Sequence, residues 1–306
     1  MTTSSPIRIT DVSPRDGLQN ESRTIPTADK ARLVHLLCRC GLDEVEVSSF
    51  VSPKWVPQLG DAAEVFAAVA EEKPEGLVFS ALVPNAKGLE QAIAVNETAG
   101  RRVIDKVSVF TAASETFSKK NTNASIDETI ERFRELVGKA REEEFDLRGY
   151  ISCIVECPFE GAIKPAAVAE VTQKLLDLGI REIDLGDTIG KGTPETIRAV
   201  LEAVQPRIEA VDGAWLTLHL HDTFGTATDC VLAALDMGVT SFDASAGGLG
   251  GCPFATTEAN GRAPGNISTE LLVRTITNAG YTTNVRIDEL REASAFASSL
   301  LEESRG

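Results

Sequence analysis

Eight times along this chain, a short run of β-branched and aliphatic residues is followed by a longer run with helical spacing. Strands are expected at Ile7–Val12, Glu44–Val47, Leu77–Val83, Lys106–Phe110, Tyr150–Val155, Glu182–Leu185, Trp215–His221 and Ser241–Ala244. Helices are expected at Thr27–Cys40, Ala62–Glu72, Lys87–Ala99, Ile126–Glu144, Ala166–Leu178, Pro194–Val204, Ala227–Met237 and Thr269–Ala279. Strands that alternate with helices run parallel and are joined by right-handed crossovers. Eight such units suit a closed barrel better than an open, doubly wound sheet. No Gly-x-Gly-x-x-Gly follows the first strand, which weakens a dinucleotide-binding alternative. The expected fold class is therefore α/β, a (β/α)8 TIM barrel, with an additional C-terminal helix at Asp288–Glu303. A barrel needs about 250 residues, and this chain has 306 with no low-complexity linker. It reads as one catalytic domain, the barrel over about 6–280 and a helical extension over about 281–306.

Local signals refine two helices. Thr27 is expected to be an N-cap, with Lys30 at the third position and Gly41 closing the helix. Ser125 and Glu128 form a Ser-x-x-Glu capping box.

Composition narrows the partners. The net charge of −16 repels a phosphate backbone and an anionic membrane surface, so neither nucleic acid nor membrane is expected. A few local Lys or Arg can still hold a phosphorylated ligand. Six cysteines in 306 residues make no dense disulfide framework, which suggests free thiols in a reducing cytoplasm. No basic segment followed by an apolar run is seen at the start, and no run of 18 apolar residues exists.

In such a barrel, chemistry is expected at the C-terminal ends of the strands. Polar residues gather there: Arg15 and Asp16, then Glu46, Ser48 and Ser49, then Asp187, then His219, His221 and Asp222, then Gly247-Gly-Leu-Gly-Gly-Cys252. His219-x-His221 is the sharpest signal. On a strand, i and i+2 share a face, so both imidazoles can aim at one point. The pair could be hydrogen-bonded core histidines, but their place at the catalytic end favours a metal site. Asp16 could complete the shell. Mixed nitrogen and oxygen ligation suits Mg²⁺, Mn²⁺ or Zn²⁺. Arg15 offers a planar fork for carboxylate or enolate oxygens, and Glu46 could hold it in place. Cys252 follows four glycines in five residues, which read as a mobile loop carrying a thiol that could donate a proton or act as nucleophile.

Several stretches resemble the 3-hydroxy-3-methylglutaryl-CoA lyase family, within the wider group of metal-dependent aldolase and Claisen-type barrels. They are Ser13-Pro-Arg-Asp-Gly-Leu-Gln-Asn-Glu21, Ser48-Ser-Phe-Val-Ser-Pro-Lys-Trp-Val-Pro57, Ala113-Ser-Glu-Thr-Phe-Ser-Lys-Lys-Asn121, Leu185-Gly-Asp-Thr-Ile-Gly190, His219-Leu-His-Asp-Thr-Phe-Gly225 and Gly247-Gly-Leu-Gly-Gly-Cys-Pro-Phe254. The resemblance implies metal ligands Asp16, His219, His221 and Asn266, with Mg²⁺ or Mn²⁺ ahead of Zn²⁺. It implies catalytic roles for Arg15, Asp16, Glu46 and Cys252, and substrate contacts from Arg15, Gln19, Ser49, Lys54 and Asn121. Lys119 and Lys120 join Lys54 as possible phosphate contacts.

The implied reaction splits 3-hydroxy-3-methylglutaryl-CoA into acetyl-CoA and acetoacetate. The same resemblance implies an acyl-CoA substrate, a homodimer or higher homo-oligomer, a cytoplasmic location, and a place in leucine degradation and ketone-body formation. Between Cys252 and Asn266 the chain is a few residues longer than the family's usual segment, which leaves Asn260 as a weaker competitor for Asn266. Three other readings stay open: a lyase for a larger branched 3-hydroxyglutaryl-CoA, a Claisen-condensing enzyme on the same barrel, and a metal-binding barrel without catalysis.

Overall fold

The computed structural model of the chain describes residues 6–21, 23–250 and 265–305. In chain order the strands are β1 (Arg8–Asp11), β2 (Glu44–Ser49), β3 (Val78–Leu82), β4 (Lys106–Ala112), β5 (Asp146–Ser152), β6 (Glu156–Cys157), β7 (Gly161–Ala162), β8 (Glu182–Asp187), β9 (Trp215–Leu220) and β10 (Ser241–Ala244). The helices are α1 (Thr27–Cys38), α2 (Ala62–Val69), α3 (Ala86–Ala99), α4 (Glu115–Thr122), α5 (Ile126–Glu142), α6 (Pro165–Leu178), α7 (Pro194–Glu209), α8 (Ala227–Asp236), α9 (Thr269–Asn278) and α10 (Ile287–Arg305). The sheet order is β1-β2-β3-β4-β5-β8-β9-β10, closing on β1. This is the expected (β/α)8 barrel, with the C-terminal helix in place as α10.

Contacts group the chain into two compact units, each discontinuous in sequence. The first comprises Met1–Val107, Phe242–Gly250 and Asn266–Gly306. Here β1 pairs parallel with β2, and β2 with β3. Val45 and Val47 alternate along β2 with Glu44 and Glu46, and all four are buried. A strand covered on both faces must place its charged members against partners. Glu44 pairs with Lys106, a buried ion pair. Leu33, Val34 and Leu37 form the buried face of α1, and Phe50 stacks on Phe66 with centroids 5.8 Å apart.

The second unit comprises Ser108–Ser241 and Gly251–Gly265. In it β5 pairs parallel with β8, and β8 with β9. Ile151, Ile183, Leu185 and Leu218 are buried along these strands, as are Leu175 of α6 and Leu201 of α7. The capping box at Ser125 and Glu128 forms as expected at the start of α5.

Three local expectations are corrected. Thr27 is the first helical residue, not the cap; Pro26 holds that place, and the Thr27 hydroxyl instead donates to Asp61 at 2.7 Å. With Pro26 as the cap, Lys30 falls at the fourth helical position instead of the third; it is buried, with its ammonium on the Gln58 backbone carbonyl and 2.7 Å from Asp61 Oδ1. The helix ends at Cys38, with Arg39 as its C-cap, two residues before Gly41. Among the α-helices and strands described, the short helix α4 and the β6–β7 hairpin had no counterpart in the sequence reading.

Candidate metal and catalytic site

Two groups of side chains stand where the sequence put its chemistry, one in each unit. In the first unit, β1 ends at Asp11, and the chain turns at once through a π-helical segment, Ser13–Gly17. The backbone N–H groups of Arg15, Asp16 and Gly17 all point at the Val12 carbonyl, at 3.2, 2.8 and 3.2 Å. Asp11 anchors this turn. Its carboxylate accepts from the Ser13 N–H at 2.9 Å, the Ser13 hydroxyl at 2.5 Å and the Thr269 hydroxyl at 2.7 Å. Burial pushes its carboxyl up to about 6, and those same donors pull the other way.

The turn presents Arg15 and Asp16 side by side. Arg15 is buried and donates Nε to Glu46 Oε2 at 2.5 Å, with Nη2 on the same oxygen at 2.5 Å. Its Nη1 donates to Asp16 Oδ1 at 2.6 Å. Glu46 is fully buried on β2. A guanidinium clamped by two carboxylates is held in one plane. The Gln19 amide donates to Asp16 Oδ1 at 2.7 Å, and Asn266 Nδ2 to Asp16 Oδ2 at 2.8 Å. Asn266 Nδ2 also reaches the Leu249 carbonyl at 3.0 Å. The structure thus brings Arg15, Asp16, Gln19, Glu46 and Asn266 together.

The glycines of the 247–250 stretch serve close approach as well as freedom of the chain. A Cβ at Gly250, where φ is +107°, would lie 2.6 Å from Asn266 Nδ2 and 3.3 Å from Asp16 Oδ2. A Cβ at Gly17 would lie 2.8 Å from Leu249 Cβ. Both positions need glycine because the loop after β10 presses on the turn after β1.

In the second unit, His219 and His221 project from the end of β9 on one face. Their Nε2 atoms are 3.4 Å apart and their ring centroids 5.4 Å, with both residues buried. Tyr150 of β5 meets the His219 ring edge-on at 6.2 Å. Asp187, at the end of β8, is buried; burial pushes its carboxyl up to about 6, and the Gly192 N–H donates to it at 2.6 Å.

The remaining expected residues differ in burial. Ser49 is buried, with its hydroxyl on the Leu82 carbonyl at 3.1 Å. Lys54 and Asn121 are exposed, Asn121 near the end of α4. Lys119 is exposed 4.0 Å from Glu115, and Lys120 lies over the Phe159 ring. Cys252 and Asn260 lie outside the described residues. The sequence reading overlooked Arg148, Tyr150 and Asp184, which the structure buries beneath His219. Their signal was a charged or polar residue at every second position of strands that are otherwise apolar.

The donors suit a divalent cation. Imidazole nitrogen with carboxylate and carboxamide oxygen is a borderline-hard set. Among the described residues, Asn266 Oδ1 is buried and accepts no hydrogen bond. A buried carbonyl oxygen left so is costly unless a ligand meets it.

Residues 6–297 match the HMGL-like family. The mitochondrial hydroxymethylglutaryl-CoA lyase of Bos taurus is 47% identical over 95% of this chain and 84% of its own length. The cytoplasmic 3-hydroxy-3-methylglutaryl-CoA lyase of Rattus norvegicus is 42% identical over 95% and 80%. The HMG-CoA lyase of Brucella melitensis superposes with a TM-score of 0.90 at 45% identity, covering 98% of this chain and all (100%) of that one. An HMG-CoA lyase from Acinetobacter baumannii, solved with coenzyme A and 3-methylmalate, gives 0.87 at 34% identity, covering 99% and 93%. On the strength of a match spanning nearly its whole length, this chain belongs to the HMGL-like family.

Proposed function

We propose that this chain is a carbon–carbon lyase that cleaves 3-hydroxy-3-methylglutaryl-CoA to acetyl-CoA and acetoacetate. The observation that carries the reading is the Arg15 fork, fixed between Glu46 and Asp16 in a chain that belongs to the HMGL-like family. The ligands of a divalent cation are Asp16, His219, His221 and Asn266, supported by the convergent His nitrogens and the buried Asn266 oxygen. The donor set suits Mg²⁺, Mn²⁺ or Zn²⁺, and the resemblance to the lyase family puts Mg²⁺ or Mn²⁺ first. Bound there, the cation supplies Lewis acidity that lowers the pKa of the substrate's tertiary hydroxyl.

The chain's own residues do the rest. Cleavage removes the hydroxyl proton, breaks the bond between the carbinol carbon and the thioester's α-carbon, and leaves an enolate that must be protonated on carbon. Arg15, already in plane, faces the oxygen on which that enolate charge develops, so little reorganisation is needed. Glu46 keeps Arg15 in that plane. Asp16 is the candidate base for the hydroxyl proton, and the Cys252 thiol the candidate acid for the enolate carbon. Gln19 and Ser49 line the acyl end, while Lys54 and Asn121, with Lys119 and Lys120, contact the CoA moiety.

The reading takes the whole chain as one catalytic domain. It includes an acyl-CoA substrate, which the complex of the Acinetobacter baumannii relative with coenzyme A supports. It also includes a homo-oligomer in the cytoplasm, serving leucine degradation and ketone-body formation. Among the described residues no helix is long and apolar enough to cross a membrane. The test is incubation with a panel of acyl-CoA thioesters and Mg²⁺ or Mn²⁺, products identified by mass. Release of acetyl-CoA and acetoacetate from 3-hydroxy-3-methylglutaryl-CoA is expected. Turnover of larger branched thioesters alone, or condensation without cleavage, would overturn the assignment.

A further inference from the structure

Beneath His219, the second unit holds a line of buried polar side chains that the proposed reaction does not use. Arg148 on β5 is among the largest fully buried side chains, at 1% exposure. Its Nη2 lies 2.5 Å from Glu182 Oε1, which also accepts the Thr217 hydroxyl at 3.0 Å. Its Nη1 donates to the Tyr150 hydroxyl at 3.1 Å and lies 3.6 Å from Asp184 Oδ2. A carboxylate oxygen of Asp184 is within 4.8 Å of a ring nitrogen of His219. The pairing register explains the convergence: Tyr150 lies opposite Asp184, and His219 opposite Gly186, two residues further along β8. Asp184 and His219 are therefore diagonal neighbours across adjacent strands.

A histidine ring turns about its outer torsion with only a broad preference, so neighbours set its direction. Tyr150 meets one side of the His219 ring edge-on, and an Asp184 carboxylate oxygen lies within 4.8 Å of one of its nitrogens. Stability alone is a poor reason for such an arrangement, since buried ion pairs can often be replaced by apolar residues at no loss. We propose that Asp184 is a positioning residue, held by Arg148, that orients the His219 imidazole toward the cation. This rests on the reading of His219 and His221 as metal ligands. Carboxylates behind metal-binding histidines fix ring orientation and raise ligand basicity.

The test is Mn²⁺ titration of the metal-free protein by electron paramagnetic resonance, with the absorption spectrum of the Co²⁺ form and the thermal midpoint as companions. Asp184→Asn keeps shape and volume. It is expected to weaken Mn²⁺ binding by about 10–100-fold and to shift the Co²⁺ bands, with the midpoint little changed. Arg148→Lys keeps the charge but cannot hold Glu182 and Asp184 with one planar fork, and serves if Asp184→Asn does not fold. Parental Mn²⁺ affinity and Co²⁺ bands in whichever variant folds would overturn the proposal. His221→Ala separates the two ideas. If it binds Mn²⁺ as the parent does, the ligand reading itself is wrong and the proposal falls with it. If it loses Mn²⁺ while Asp184→Asn does not, only the positioning role of Asp184 fails.

Discussion

Replacing Arg15 with Lys keeps a positive charge in the same buried place and removes the plane. The wild-type side chain spends three nitrogens on two carboxylates, with Nε and Nη2 on Glu46 at 2.5 Å and Nη1 on Asp16 at 2.6 Å. A lysine ammonium is a point charge on a flexible stem and cannot reproduce that fork. Two consequences follow, and they separate in an assay. Weakening one charged hydrogen bond at a buried site costs about 1.5–3 kcal/mol of folding stability. The larger charge loss is avoided, because Glu46 keeps a cation beside it. For catalysis, losing one preorganised donor costs about 2.7–4 kcal/mol, or about 10²–10³ in kcat. KM should move far less, because the interaction strengthens only as enolate charge develops. Steady-state kinetics at saturating Mg²⁺, with a thermal melt run beside them, give both numbers. An unchanged kcat with a raised KM would mean that Arg15 merely binds the ground state, and the transition-state role would be refuted.

Other consequences are open to measurement. Gly250→Ala must place a Cβ 2.6 Å from Asn266 Nδ2 at φ +107°, so Asn266 should be displaced and Mn²⁺ affinity should fall; parental affinity in a folded variant counts against the close-approach argument. Asp11 titrates near 6 in the folded protein against an ordinary value of 3.8, so its favourable contribution is complete below pH 3.8 and is lost as pH rises to about 6. The unfolding free energy of wild type minus that of Asp11→Asn should therefore fall across that window by on the order of 3 kcal/mol, and a flat difference would show that Asp11 ionises normally. Cys252→Ser should fold, bind Mn²⁺ as the parent does and lose most turnover, since a hydroxyl is a much weaker acid than a thiol; retained turnover removes Cys252 as proton donor. Burial pushes the Cys38, Cys40 and Cys230 thiols up to about 12, so these three should resist alkylation at neutral pH in peptide mapping.

What the sequence determined by itself was whatever depends on short separations. Each strand–helix unit repeats a local period, so eight units and a closing helix could be counted without any contact being known. His219 and His221 share a face because a strand alternates, which is what allows their Nε2 atoms to lie 3.4 Å apart. The Ser125 capping box closes within one turn and formed as written. Helix α4 escaped notice because it is short and polar, burying only Phe117 and Ser118. Thr27 was misread because its hydroxyl found Asp61, 34 residues away, in place of its own helix end. Tertiary structure alone decided the contacts that give these residues a setting. Asn266 reaches Asp16 across 250 residues, and Arg15 reaches Glu46 across 31. Arg148, Asp184 and His219 meet only because β5, β8 and β9 pair in one register. A one-residue slip would turn each of those side chains to the opposite face. Periodicity is a property of neighbours along the chain, whereas the placement of one charge against another is a property of which strands lie side by side.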